Sequence, residues 1–353
     1  CGGCSAQDVE YEKQVEGKRA KVSSLLGFDD VKICSGEPFG YRNRMDFIFH
    51  QGGIGLRRKG NWRDVVDVDH CPISDPRINA LLAEVRPLAK RVSTFNPQQR
   101  RGVFRYAVIR TTSRSSTISL VINSDEQRDA LGQVTDFARS SSADNVIIAR
   151  VPSNTDTGLS EDFQVVKGSP YLDEMIAGRR FVFHSQAFFQ NNASMAQRLV
   201  SYVVDALRDC GANTLLDLYS GVGVFGVSAK DLFEKVVLVE SHPLSVECAR
   251  LNAADLPNVE VVGLDAADSH KVKAEGIIAA IVDPPRSGMH PKAIARLLQR
   301  RPKEVVYVSC NPSRIALELQ SFVRAGYSIA SVAAFDLFPQ TEHIEAVVHL
   351  RQD

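Results

Sequence analysis

The chain has 353 residues, 44% of them apolar and 24% charged, with 42 basic side chains balancing 42 acidic ones. That length leads us to expect two domains with ample core, and the composition is that of an ordinary soluble globular protein. No run approaches the eighteen or so apolar residues of a membrane span and no signal peptide opens the chain, so it reads as cytoplasmic, with no membrane partner. Seven cysteines at this length are too sparse for a disulfide scaffold.

At the start, Cys1-Gly2-Gly3-Cys4 precedes a polar, helix-compatible run from Ala6 to Leu26. A Cys-x-x-Cys inside the cell points to metal or redox chemistry. Asp69-His70-Cys71-Pro72 offers a third thiolate. Zinc would want four ligands, for which His70 could serve. An iron-sulfur cluster would want four cysteines, and because the chain opens at Cys1 and not at methionine, the fourth is expected upstream of a cut. A redox pair lacks the surrounding βαβ pattern. Spacing favours a metal and leaves its identity open.

Residues from about Lys32 to Tyr171 read as mostly β. Arg44 to His50 alternates, Gly52-Gly53 turns, and Val103–Thr111, Thr117–Asn123 and Asn145–Val151 are further strand-like runs. Helical runs at Asn79–Val92 and Asp125–Ser140 separate them. The net charge of zero hides a segregation here. Between Val85 and Ser124 there is no acid, yet Arg86, Lys90, Arg91, Arg100, Arg101, Arg105, Arg110 and Arg114 all fall there. A second cluster is Arg57, Arg58, Lys59 and Arg63, following Arg42 and Arg44. Two basic clusters in one half of a neutral chain point to a phosphate backbone, and so to RNA, against the plainer reading of a solvated face.

Then strand and helix alternate. Thr214–Leu218 is a buried strand, followed by Tyr219-Ser220-Gly221-Val222-Gly223-Val224-Phe225-Gly226 and a helix. Glycines at such a turn let a ligand approach the backbone closely. Val236–Glu240 ends in an acid at the spacing of a ribose-binding carboxylate, Val259–Val262 leads to Asp265, and Ile277–Val282 leads to Asp283-Pro284-Pro285-Arg286. This is a doubly wound α/β sheet. Acids at strand-to-helix junctions are common helix caps, but four in register, Asp217, Glu240, Asp265 and Asp283, favour a cofactor site. An oxidoreductase would use the layout for a dinucleotide, whereas this loop with Asp217 before it suits the single adenosine of S-adenosylmethionine better. Val305–Val308 is a short strand broken by Asn311-Pro312, which presents Cys310 at a carboxyl end where ligands bind. Ser328–Phe335 and Ile344–Leu350 read as a closing pair, with Glu345 at a strand start, either an exposed-face acid or a base.

Phe188-Phe189-Gln190-Asn191-Asn192, Asp217 to Gly223, Asp283 to Gly288, Ser309-Cys310-Asn311-Pro312 and His343-Ile344-Glu345 resemble, in order, the signatures of the uracil-5 RNA methyltransferases, as do Tyr41-Arg42-Asn43-Arg44 and the early cysteines. The resemblance spans essentially the whole chain. It implies an S-adenosylmethionine-dependent Rossmann-like methyltransferase domain at residues 181–353. Before it come a β-rich, α+β RNA-binding domain at 32–180 and a cysteine-containing segment at 1–31. Gln190, Tyr219, Glu240 and Asp283 match the residues that hold the methyl donor, with Gly221 and Gly223 shaping the loop. Cys310 matches the nucleophile and Glu345 the base. Cys1, Cys4 and Cys71 match three of the four cysteines of a four-iron, four-sulfur cluster. Many members carry an amino-terminal RNA-binding barrel, and this sequence has none, whether by truncation or by nature.

The implied chemistry needs these residue types. Carbon 5 of uracil is a poor nucleophile, so a thiolate adds at carbon 6, carbon 5 takes the methyl, and a base then removes the carbon 5 proton. A thiol whose acidity is raised is expected at Cys310, and the target uridine is expected to be flipped from a loop. The cluster cysteines favour a uridine in 23S ribosomal RNA, with transfer RNA as the alternative, and a monomer is the default. Competing readings are an amino methyltransferase, which would carry an aromatic where Arg286 stands and would need no cysteine, and a non-catalytic RNA-binding protein.

Overall fold

The computed structural model describes residues 1–127 and 129–353, with Trp62 described by its backbone alone. In chain order the elements are α1 (Tyr11–Leu26), β1 (Val31–Cys34), β2 (Arg44–His50), β3 (Gly53–Arg58), β4 (Asn61–Asp67), α2 (Pro76–Ala89), β5 (Phe104–Thr111) and β6 (Ser116–Asn123). There follow α3 (Ala130–Ser140), β7 (Asn145–Val151), β8 (Phe163–Lys167), β9 (Tyr171–Ile176), β10 (Arg179–His184), α4 (Ala193–Ala206), β11 (Thr214–Leu218), α5 (Val224–Ser228), β12 (Lys235–Glu240) and α6 (Pro243–Ala253). The chain ends with β13 (Val259–Gly263), β14 (Ile278–Val282), α7 (Pro291–Gln299), β15 (Glu304–Ser309), α8 (Pro312–Arg324), β16 (Tyr327–Phe335) and β17 (Glu345–Gln352). They form two units. The first comprises Cys1–Gln7, Glu37–Glu174 and Phe183–Ala193, and the second Asp8–Gly36, Met175–Val182 and Ser194–Asp353.

In the first unit a seven-stranded sheet runs β4-β3-β2-β5-β6-β7-β8. Strand β2 buries every second residue, as its alternation dictates, while β5 and β6 are buried along their whole length because both faces of the sheet's centre are covered. Only β6 and β7 pair in parallel, and α3 supplies the crossover that a parallel pair requires. Helix α2 lays Ile78, Leu81, Leu82, Val85 and Ala89 into this core. It starts three residues earlier than the apolar pattern indicates, since the Asp75 carboxylate caps the Arg77 N–H at 2.7 Å and Pro76 fits the first turn. Helix α3 starts later than expected because the Asn123 side chain takes the Asp125 N–H into a turn.

The second unit is an eight-stranded sheet ordered β1-β16-β17-β15-β14-β11-β12-β13. All its pairs are parallel except those of β17 with β15 and β16. From β11 the chain winds outward to β12 and β13, then returns to place β14 and β15 on the other side. The junction of β11 with β14 is therefore the switch point, where a ligand crevice forms outside the strand ends. Leu216, Leu218, Val237, Ala280, Val282, Tyr307 and Val348 fill the core beneath it.

Candidate active site

Strand β11 ends at Leu218, and the next turn is tightly bent: Tyr219, Gly221 and Gly223 all have positive φ, at 60°, 55° and 88°. A tyrosine tolerates that region poorly, so its presence marks a turn held by its surroundings. The Glu240 carboxylate, at the end of β12, does the holding. One oxygen accepts from the Gly221 N–H at 2.9 Å, and the other from the N–H groups of Ser241 and His242 at 2.8 and 2.7 Å. Asp217 anchors the far side through an N–H···O bond of 2.8 Å from Gly226. A side chain at Gly226 would meet Leu238 and Asp217 at 2.4 and 2.9 Å, so the backbone must run bare here. Asp217 is fully buried and its other oxygen has no partner among the described residues. Burial pushes its carboxyl up to about 8, aided by the charges of Asp283 and Glu240 and opposed by the Gly226 N–H. Asp265 is exposed and caps the turn that follows, accepting from the Ala267 N–H at 2.8 Å. A bare cradle, an orphaned buried oxygen and acids at neighbouring strand ends suit the polar atoms and positive charge of S-adenosylmethionine.

On the other side of the switch point three chemical groups converge. Strand β15 pairs antiparallel with β17, Ser309 opposite Ala346, so Cys310 and Glu345 leave the ladder side by side. Strand β14 pairs with β15 and delivers Asp283 just after Val282. The charges of Glu345, Asp283 and Arg286 all act on the Cys310 thiol. The sequence reading expects an acidified thiol here, and the structure corrects it. Burial, then the Glu345 and Asp283 carboxyls, push the thiol up to about 11, and Arg286 only partly opposes them. Glu345 is buried and lies well above the usual carboxylate range, from burial first and Asp283 second. Burial brings Asp283 up to about 7. Both carboxyls thus bind a proton more tightly than free ones do, the setting of a group that gives and takes protons.

Two sets of contacts that the sequence reading did not foresee shape this corner. The Asn311 amide donates to the Arg286 carbonyl at 3.0 Å, tying the loop after β14 to the loop of Cys310. Glu318 of α8 accepts from the Met289 N–H at 3.2 Å, from the Tyr307 hydroxyl at 2.5 Å and from Arg314 at 2.7 Å, so it fixes the end of the same loop. No sequence signal marks the contact of Asn311 with Arg286 or that of Glu318 with Met289, because neither follows a fixed spacing.

Gln190 belongs to the first unit. Its carbonyl accepts from the Asn43 amide at 3.2 Å, and the Asn43 N–H reaches the Asn191 carbonyl at 2.9 Å, so the motifs at Tyr41–Arg44 and Phe188–Asn192 form one structure. Phe189 stacks on Phe183 at 4.1 Å, while Phe188 is 57% exposed. The basic clusters of this unit are less segregated in space than in sequence. Arg105 and Arg110 are buried, donating to the carbonyls of Pro152 and Ala187, and Arg57, Arg86 and Arg114 are paired with Asp156, Asp67 and Asp173. Arg58, itself paired with Asp64, lies with Arg63 and Arg100 along an open depression of about 1060 Å³ that also holds Phe95.

The iron-sulfur expectation does not fit this structure. Cys1, Cys4 and Cys71 border a common depression, but no group of three His, Cys, Asp or Glu residues is gathered to hold a metal among the described residues. Cys71 is buried in the apolar core with Cys4 packed against it, while Cys1 is exposed. Burial, and then Cys71 itself, push the Cys4 thiol up. Among the described residues no helix is long and apolar enough to cross a membrane.

Comparison with known proteins agrees with this geometry. Residues 10–353 match the family described as tRNA (Uracil-5-)-methyltransferase. The chain is 33% identical to a tRNA (uracil(54)-C(5))-methyltransferase of Pyrococcus horikoshii, covering 99% of this chain and 83% of that protein. It is 34% identical to the protein of the same name from Pyrococcus furiosus, covering 100% and 83%. The crystal structure of Pyrococcus abyssi tRNA (uracil-54, C5)-methyltransferase in complex with S-adenosyl-L-homocysteine superposes with a TM-score of 0.82 at 29% identity, over 99% of this chain and 85% of that one. The chain belongs to the S-adenosylmethionine-dependent RNA uracil-5-methyltransferases.

Proposed function

We propose that this enzyme methylates carbon 5 of uridine 54 in transfer RNA, with Cys310 as nucleophile and Glu345 as base. The convergence of Cys310, Glu345 and Asp283 at the ends of three adjoining strands carries the reaction class. The names of the Pyrococcus relatives support transfer RNA over the 23S ribosomal RNA that the cysteines suggested. An amino methyltransferase would have no use for a thiol beside the acid of its Asp-Pro-Pro loop.

Asp217, Tyr219, Glu240, Asp265 and Asp283 would hold S-adenosylmethionine, with Gly221 and Gly223 shaping the turn. Bound there, the donor supplies an electrophilic methyl group. Cys310 gives up its proton to solvent water and adds through sulfur to carbon 6, and the electrons of the 5,6 double bond move towards carbon 5 to make it nucleophilic. After methylation, Glu345 takes the carbon 5 proton. The electrons of that C–H bond restore the 5,6 double bond, the C–S bond breaks, and its pair returns to Cys310. Arg286 favours the thiolate at both ends of this cycle. Arg58, Arg63 and Arg100 would hold backbone phosphates, with the exposed Phe188 available for an unstacked base.

The test is methylation of an unmodified transfer RNA transcript and of a 23S ribosomal RNA transcript, with nucleoside mass spectrometry and mapping of the modified position. We expect 5-methyluridine at position 54 of the transfer RNA alone. Modification confined to ribosomal RNA, or a methyl on an exocyclic amine, would overturn the proposal.

A further inference from the structure

Glu345 is the first residue of β17, and its ladder partner is Phe335, the last residue of β16. The loop Asp336–Ile344 therefore starts and closes at the base. Its path is not set by the sheet. It is set by one face of α1, in the same unit and more than 300 residues away in sequence, through Tyr11, Gln14 and Lys18, which lie at helical spacing of three and then four.

These contacts are specific and mostly buried. Lys18, only 4% exposed, places its ammonium 2.7 Å from the fully buried Asp336 carboxylate and donates also to the Phe338 carbonyl at 3.1 Å. The Tyr11 hydroxyl donates to the other Asp336 oxygen at 3.1 Å and accepts from the Gly36 N–H. Gln14 reads the loop twice: its amide donates to the Gln340 side chain at 3.0 Å, and its oxygen accepts the Gln340 N–H at 3.1 Å. Gln340 has φ of 67°, a left-handed conformation that a non-glycine residue keeps only when its surroundings impose it. Two buried polar side chains and a half-buried tyrosine on one helix face are costly unless each is satisfied, and a helix needed only for stability would present apolar residues there. The expense falls on the one loop that leads into Glu345.

We propose that α1 positions the catalytic base, with Gln14 and Lys18 as positioning residues that act through the Asp336–Ile344 loop. This rests on Glu345 being the base. A loosened loop leaves Cys310 able to add and carbon 5 able to accept the methyl, but it slows removal of the carbon 5 proton. The enzyme then stalls with RNA attached.

The full chain, unmodified transfer RNA transcript and S-adenosylmethionine are the reagents. Two quantities are read for each variant: 5-methyluridine formed, and the fraction of protein carrying denaturation-resistant RNA. Loss of a general base costs about 10²–10⁴-fold, so Glu345→Gln should nearly stop turnover and accumulate the adduct. Misplacement by about 1 Å can cost about 10²-fold, so Gln14→Leu and Lys18→Met should slow turnover at least tenfold while the adduct fraction rises above that of the unaltered enzyme. Gln14→Leu leaves no charge unpaired and tests the idea even where Lys18→Met unfolds. Suppose Glu345→Gln traps the adduct while Gln14→Leu either turns over normally or loses product and adduct in proportion. The positioning role is then overturned and the base assignment stands. If Glu345→Gln turns over normally, the base assignment falls and this proposal with it.

Discussion

The Cys310 thiol sits between two carboxyls that repel its charged form and one guanidinium that favours it. With the thiol at about 11, its thiolate fraction grows with pH throughout the neutral range, tempered as Asp283 ionises near 7. Alkylation of Cys310 by iodoacetamide in the free enzyme, followed by mass spectrometry, should therefore speed up continuously from pH 7 to pH 9. Arg286→Gln removes the favourable charge, raises the thiol further and should slow alkylation by roughly three- to tenfold across that range, as expected for a shift of up to about one unit. A rate that levels off below pH 8 would mean that the resting thiol is already acidic. Asp283 and Cys310 were expected at strand ends beside prolines and Glu345 at a strand start, and the structure places them there. The direction of the Cys310 shift was not legible in sequence, since it depends on acids brought together from β14 and β17, and no local spacing records that.

At the scale of elements, the turn from β11 into α5 works because its backbone is bare where Leu238 and Asp217 press on it. Gly226→Ala forces those neighbours apart, which typically costs about 1–3 kcal/mol, and it strains the N–H that Asp217 accepts. We expect calorimetric affinity for S-adenosylmethionine to fall at least tenfold, the equivalent of about 1.4 kcal/mol. Gly132→Ala is the control. It faces open space in helix α3 and should leave affinity unchanged. Normal affinity in Gly226→Ala would show that the cradle is not the donor site. Strands with strong patterns, such as Thr214–Leu218 and Asn145–Val151, match the structure end to end. Helix starts were less visible, because Asp75 and Asn123 decide them through side-chain hydrogen bonds that compete with the apolar periodicity.

Across the whole molecule, the least legible feature is long-range pairing. Strand β1 joins the edge of the eight-stranded sheet by pairing with β16, and α1 anchors the loop before Glu345, yet Val31–Cys34 and Tyr11–Leu26 carry no mark of partners 300 residues away. The basic run was legible as charge but misleading as surface, because folding buried Arg105 and Arg110 and paired several others with acids from distant strands. What the fold does achieve is to bring a thiol, two buried carboxyls and a bare backbone turn to one end of one sheet. The most direct test is to incubate the enzyme and S-adenosylmethionine with 5-fluorouridine-substituted transfer RNA and analyse the denatured protein by mass spectrometry. Fluorine at carbon 5 cannot leave as a proton, so covalent catalysis must stall with RNA bound. The account predicts an adduct on Cys310 at nucleotide 54, absent in Cys310→Ala. Turnover without any adduct, or an adduct on another residue, would contradict it.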